Sequence, residues 1–133
     1  MFVTRLSDYA IRCVLYLSRN GGRLASVGEI AESMYVPKNF LAKILQKLVK
    51  AGIVKSTRGA KGGFQLARQA SEISLLDVLE AVQGPTAVNV CAIDSRQCGL
   101  SSTCAVHPVW VSIREMIERE LAAQTFARLA GGG

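Results

Sequence analysis

The chain has 133 residues, half of them hydrophobic, and a formal net charge of +6 with an isoelectric point near 9.5. This length suits one domain with an appended element, and the apolar content is enough for a core without disulfides. No stretch is apolar enough for a membrane span, and Asp8 and Arg12 interrupt the first apolar run, so we also expect no signal peptide. We therefore expect a cytoplasmic protein whose basic balance favours a polyanionic partner over a small-molecule substrate.

The positive charge is concentrated in the first part of the chain. Residues 1–83 hold 12 Lys and Arg against 6 Asp and Glu, a net of +6, whereas residues 84–133 hold 4 basic and 4 acidic residues. Between Met34 and Arg68 there are eight basic residues and no acidic one. An ordinary solvated face usually mixes both signs, so this run favours a surface that neutralises phosphates.

Apolar periodicity and turn residues predict the elements of the first 83 residues. Ser26 followed by Glu29 predicts a capped helix start, and Cys13 lies on the apolar stripe of the first helix, where we expect it to be buried. The glycine-rich RGAKGG joins two short extended runs and predicts a hairpin. The predicted elements are helices over 2–19, 27–34, 38–51 and 71–83 and strands over 53–57 and 64–67.

This order of helix, turn, basic helix and glycine-rich hairpin is typical of a winged helix-turn-helix. We therefore predict a mainly α protein with a winged helix-turn-helix DNA-binding domain over residues 1–83. The polar face of the third helix suits the major groove, and the hairpin glycines let the backbone approach DNA closely. The candidate DNA contacts are Lys38, Asn39, Lys43, Arg58, Lys61, Gly62 and Gly63.

A last, long helix is predicted from Pro108 to about Arg128, with an apolar stripe from Trp110 to Leu121. Such a stripe needs cover, and we expect it from the same helix of a second subunit, with packing on the chain's own domain as the alternative. The predicted organisation is a DNA-binding domain (1–83), a cysteine-rich cluster-binding loop (84–107), and a dimerisation helix and tail (108–133).

The predicted loop holds three of the four cysteines and the only histidine: Cys91, Cys98, Cys104 and His107. Gaps of six, five and two residues separate them, without the CxxC pair that is usual in zinc ribbons. Three thiolates and an imidazole make a four-ligand set, and the wide spacing favours an iron–sulfur cluster. A structural zinc ion and a metal-free thiol switch remain open.

The chain resembles the IscR/NsrR/RirA-type family of iron–sulfur winged helix-turn-helix transcription regulators over nearly its whole length. The resemblance lies in the opening TRLSDYAIRCVLYL, the wing RGAKGGFQLAR, the segment ISLLDVLEAVQG and the three cysteines in order. It implies a homodimer that binds a palindromic operator in double-stranded DNA. It also implies Cys91, Cys98 and Cys104 as thiolates of a cluster whose state, set by iron or cluster supply, nitric oxide or oxidants, alters operator affinity.

The resemblance offers two candidates for the fourth ligand. His107 falls on the position that IscR-like proteins use for a 2Fe–2S cluster, the kind that we favour. Asp8 matches an aspartate that, in some nitric-oxide sensors of the family, reaches a 4Fe–4S cluster from the partner subunit. The first cysteine gap is six residues where IscR-like members have five, and Ala42 stands where they carry a glutamate that tunes operator preference.

Two other classes of protein remain to be weighed against this hypothesis. A thiol-switching or zinc-stabilised DNA-binding repressor would use the same helix-turn-helix without a cluster. An iron–sulfur carrier would not need the basic helices. An enzyme is not expected, because no nucleophile–base pair and no phosphate-binding loop accompany the one histidine.

Overall fold

A computed structural model describes residues 3–97, 99, 100 and 102–131. The helices are α1 (Arg5–Arg19), α2 (Val27–Met34), α3 (Lys38–Lys50), α4 (Leu75–Gln83), α5 (His107–Ala123) and α6 (Phe126–Gly131). Strands β1 (Val54–Thr57) and β2 (Gly63–Leu66) form an antiparallel sheet, and short 3-10 turns cover Ala70–Glu72, Val90–Ala92 and Ser95–Gln97. The predicted mainly α, winged helix-turn-helix fold is confirmed. None of the helices in these described ranges is long and apolar enough to cross a membrane.

The core forms around the apolar face of α1, which packs on α2, α3, α4, α6 and β2. Thr4 caps the helix by accepting a hydrogen bond from the Ser7 N–H at 3.1 Å, and the buried face follows at helical spacing. Its members are Ser7, Ala10, Cys13, Val14 and Leu17. The predicted burial of Cys13 is confirmed. Burying a Val or Leu side chain contributes roughly 1.5–3 kcal/mol, a range that applies here to Val14 and Leu17.

The hairpin is fixed to the domain through Ala25 and Phe64. Their backbones exchange two hydrogen bonds, at 2.9 and 2.8 Å, which adds Ala25 to the edge of β2. The neighbouring Gly63 lies so close to Ala25 that a Cβ would stand 2.7 Å from its carbonyl oxygen. Only glycine therefore fits at this position, and the wing is held at its base.

The helix α4 begins later than the sequence indicated. The prediction started it at Ser71, whereas in the structure Ser74 is the N-cap and residues 70–72 form a 3-10 turn. Ser74 and Asp77 make a capping box, in which each side chain accepts from the other's backbone N–H at 2.9 and 3.2 Å. The two hydrogen bonds satisfy the backbone N–H groups of Ser74 and Asp77 and determine where α4 begins.

The prediction of one helix running to about Arg128 is wrong, because α5 ends at Ala123 and a separate α6 begins at Phe126. The backbone between them is extended: Leu75 N–H donates to Gln124 O and Phe126 N–H to Ile73 O, each at 2.9 Å. Because these residues pair with the backbone at the start of α4, α5 cannot continue through them. Phe126 then enters the core with no exposed surface.

Replacing Phe126 with alanine should therefore destabilise the domain by about 3–5 kcal/mol, because the cavity lies in a closed core. Urea denaturation at one fixed protein concentration measures this, since association would otherwise shift the apparent stability. Val88→Ala is the control, because that side chain is already 40% exposed, and it should cost well under half as much. Equal losses in both variants would contradict the burial of Phe126.

The Cys13 thiol should resist alkylation in the native protein. Burial raises its pKa from 9.0 to about 12, so at pH 8 it is protonated as well as inaccessible. Iodoacetamide labelling at pH 8 followed by peptide mapping should modify the partly exposed Cys104 and spare Cys13 until denaturant is added. Labelling of both at one rate in the native state would show that α1 opens readily.

Candidate nucleic-acid interface and cysteine loop

The helix-turn-helix is held in shape by α1. Ser26 caps α2 by accepting from the Glu29 N–H at 3.1 Å, as predicted, and Tyr35 ends α2 in the left-handed region with φ 56°. Arg12 of α1 donates to the carbonyl oxygens of Met34 and Tyr35 at 3.3 and 3.4 Å. These carbonyls at the end of α2 have no partner within the helix. A cation on α1 therefore stabilises the turn between α2 and α3.

The helix α3 presents an open basic face. Its apolar side packs into the core, and the predicted contacts Lys38, Asn39 and Lys43 all lie on the exposed side. Lys47 differs from them: it is half-buried, and its Nζ donates to the Val82 carbonyl oxygen at 3.2 Å. The run of basic residues in the sequence therefore contains both surface cations and an internal one.

The wing exposes two cations on a loop shaped by glycines. Arg58 and Lys61 are exposed, while Gly62 and Gly63 are partly covered. A Cβ on Gly62 would run into the Thr57 carbonyl oxygen, so this glycine is needed for the loop itself. The two glycines therefore have a structural role in the wing.

A cleft of about 560 Å³ lies between α3 and the wing. Polar groups come from α3 and the wing, and Val49 and Phe64 contribute apolar surface. The polar lining residues are Gln46, Lys50, Ser56 and Arg58. Among the described residues that line it, none is acidic.

The cysteine loop leaves α4 at Gly84 and Pro85 and returns at the start of α5. Cys91 is 9% exposed and Cys104 is partly exposed, and both are free thiols; Cys98 lies outside the described residues. Cys104 is tied to α5, since its carbonyl oxygen accepts from the His107 N–H at 3.3 Å. The loop thus places one thiol a single turn before the first residue of α5.

One ring nitrogen of His107, at the end of the loop, is buried. This nitrogen, Nδ1, has no hydrogen-bond partner among the described residues. A buried imidazole nitrogen without a partner is costly, and it is the kind of donor that a metal takes. The structure therefore leaves this nitrogen available as a ligand.

The candidate ligands that the structure describes do not by themselves form a metal site. Across the described ranges, no group of three or more His, Cys, Asp or Glu side chains is placed to hold a metal ion. Asp8 instead pairs with Arg12 at 2.9 Å, beside a cleft of about 660 Å³ at the start of α1. The structure thus ties Asp8 to the helix-turn-helix side of the domain.

Arg114 of α5 is a residue that the sequence analysis missed. It donates to the Ala92 carbonyl oxygen at 2.6 Å and pairs with Glu118 at 2.7 Å, so it joins α5 to the backbone beside Cys91. Only the Glu118 spacing, four residues along a helix, was visible in the sequence. The contact with Ala92 depends on the path of the loop, which no local pattern specifies.

Comparison with known proteins agrees with this arrangement. The Rrf2 family, described as iron-dependent transcriptional regulator, matches residues 3–132. A candidate HTH-type transcriptional regulator of Aquifex aeolicus is 33% identical over 112 residues, which cover 83% of this chain and 78% of that protein. The structure of T. potens IscR superposes with a TM-score of 0.77 at 26% identity, covering 97% of this chain and 85% of that one. The oxidised form of Staphylococcus aureus CymR gives 0.74 at 25% identity, covering 98% and 97%.

The family match extends over nearly the whole chain, and the winged helix-turn-helix gives it a structural basis. The protein therefore belongs to the Rrf2 family of DNA-binding transcriptional regulators, a family of regulators rather than of enzymes.

Proposed function

We propose that this regulator is a cytoplasmic homodimer that binds a palindromic operator, and that an iron–sulfur cluster held by Cys91, Cys98 and Cys104 controls its operator affinity. His107 is the favoured fourth ligand, to a 2Fe–2S cluster. The observation that carries the proposal is the buried Nδ1 of His107 at the end of the cysteine loop, which has no hydrogen-bond partner among the described residues. It favours a bound group over an empty thiol loop, because an unsatisfied buried nitrogen is otherwise a net cost.

Exposed basic side chains on α3 and the wing support DNA binding. Lys38, Asn39 and Lys43 face solvent on α3, and Arg58 and Lys61 face solvent on the wing. The α3 residues suit the major groove, where Lys38 or Lys43 reads guanine, and the wing suits phosphate or the minor groove. Two such domains related by a two-fold axis match the two halves of a palindrome.

The exposed apolar surface of α5 supports a homodimer. None of its residues, all of which are described, is fully buried, and the predicted stripe of Trp110, Ile113, Ile117 and Leu121 is only half-covered by its own chain. Val109 and Met116 keep 50% and 56% of their surface exposed. An apolar helix surface of this extent is covered best by the same helix of a second subunit.

The donor set fits an iron–sulfur group. Soft thiolates and a neutral imidazole nitrogen are the ligands that such clusters take. When bound, the cluster supplies a crosslink that iron limitation, nitric oxide or oxidants remove. Cys91 and Ala92 would hold one side of the loop against α5 through Arg114, and Cys104 and His107 would hold the other side at the start of α5.

Asp8 is the alternative fourth ligand, supplied from the partner subunit to a 4Fe–4S cluster. Its carboxylate is half-exposed and paired with Arg12, and an exposed pair of this kind contributes little stability, so it can open at small cost. Arg12 also holds the end of α2. Recruitment of Asp8 by the partner's loop would therefore act on the turn that aims α3.

A metal-free thiol switch is the second candidate function. It is favoured by the similarity to Staphylococcus aureus CymR, whose structure is known in an oxidised form, and by the free thiols of Cys91 and Cys104. In this case oxidation would join thiols of the loop, and DNA affinity would follow the thiol state. The buried His107 Nδ1 would then have no role as a ligand.

The test is to purify the protein without oxygen and to measure its absorbance and Mössbauer spectra together with iron and sulfide. We expect a 2Fe–2S spectrum that His107→Ala alters, because the imidazole is the proposed fourth ligand. A four-iron spectrum altered by Asp8→Ala would support the alternative ligand.

Two cysteine variants provide matched controls for this measurement. Cys91→Ser should abolish iron binding, whereas Cys13→Ala should leave the iron content unchanged, because that thiol lies in the core of α1. A colourless wild-type protein without iron and sulfide would overturn the cluster proposal. Reversible loss of DNA binding on oxidation would then identify a thiol switch.

Replacing Lys61 with alanine should weaken binding to all DNA sequences alike, because the wing cation contacts phosphate. The plot of log affinity against log salt concentration should flatten by about 0.9 for each phosphate that is no longer neutralised, and thus by about 2 for a dimer with two wings. Arg128→Ala removes the same charge from α6, outside the helix-turn-helix and wing, and should leave the slope unchanged. An unchanged slope for Lys61→Ala would remove this residue from the interface.

A further inference from the structure

Lys47 lies in the recognition helix α3, yet it points away from the surface that would meet DNA. It is half-buried, and its Nζ donates to the Val82 carbonyl oxygen at 3.2 Å. Lys43, one turn earlier, is exposed. The two lysines therefore have different environments although they share the same charge and the same helix.

The acceptor of Lys47 lies at the end of α4. The last carbonyls of a helix have no intrahelical partner and carry the negative end of the helix dipole, so an ammonium group is favourable there. At the end of α4, Gly84 N–H donates to the Glu80 carbonyl oxygen at 3.1 Å, and Lys47 Nζ donates to the Val82 carbonyl oxygen. Lys47 is thus a C-terminal cap for α4 provided by the recognition helix.

The next residue of α4 makes a second link. The Gln83 side-chain oxygen accepts from the backbone N–H of Thr4 at 3.2 Å, and Thr4 is the N-cap of α1. The end of α4 is therefore joined to both α1 and α3. Immediately after it the chain turns at Gly84, with φ 88°, into the cysteine loop.

We propose that Lys47 is a positioning residue that couples the cysteine loop to the recognition helix and does not contact DNA. The coupling depends on the proposed function, since it requires that the state of the loop changes operator affinity. A change in the loop moves the end of α4, and the Lys47 hydrogen bond transmits that movement to α3. The operator affinities of the two states of the loop then differ by no more than the difference in free energy of this link between those states.

The first arm of the test separates an internal cation from a phosphate contact. Lys47→Met keeps an unbranched stem and removes the donor, and Lys61→Met is the same change at an exposed wing cation that is proposed to contact phosphate. The salt slope of operator binding should flatten by about 0.9 per phosphate for Lys61→Met and should not change for Lys47→Met. Equal flattening in both variants would show that Lys47 neutralises a phosphate and would overturn the proposal.

The second arm measures the coupling. Operator affinity is determined for cluster-loaded protein and for protein freed of iron by a chelator under anaerobic conditions. The ratio of the two affinities should fall towards 1 in Lys47→Met and recover in Lys47→Arg, which restores a charged donor at this position. Affinity for non-specific DNA should be unchanged in Lys47→Met, which a merely unfolded domain would not allow.

The outcomes distinguish the two proposals. A wild-type ratio of 1 would mean that the cluster does not control DNA binding, so the proposed function fails and the coupling fails with it. A wild-type ratio different from 1 that Lys47→Met preserves would overturn the coupling alone.

Discussion

The buried face of α1 is the contact on which the rest of the molecule depends. Ala10, Cys13 and Val14 have no exposed surface, and the helix packs on α2, α3, α4, α6 and β2. One element thus contacts the recognition helix, the wing and the C-terminal return of the chain. Because a close-packed core transmits displacement instead of absorbing it, the DNA-binding surface and the C-terminal half are mechanically connected.

The basic residues divide into two groups with different physical roles. Lys38, Lys43 and Lys61 are exposed and available to phosphates or bases. Arg12, Lys47 and Arg114 instead donate to backbone carbonyl oxygens near the ends of helices or turns. A cation at such an end satisfies an orphan acceptor and opposes the negative end of a helix dipole. The net charge therefore exceeds the charge that is free on the surface, because these cations also join neighbouring elements of the fold.

Local patterns predicted the helix-turn-helix and the wing closely. The Ser26 cap, the bounds of α2 and the hairpin depend on interactions between residues near in sequence, and all were found. The start of α4 and the break after Ala123 were missed. The first is set by the Ser74–Asp77 capping box, which the apolar periodicity used to predict the helix does not reveal. The second needs backbone pairing between segments some fifty residues apart, which leaves no local signal.

For the candidate site, the sequence by itself determined the chemistry: the thiols and imidazole of one loop, the basic third helix and the glycines of the wing. These follow from residue type and spacing, which are local properties. Only the tertiary structure decided which groups are free to act. It buried Cys13, left the His107 nitrogen without a partner among the described residues, and engaged Lys47 with α4 and Asp8 with Arg12. Burial and pairing depend on distant segments of the chain meeting in the fold, and no single stretch of sequence contains that information.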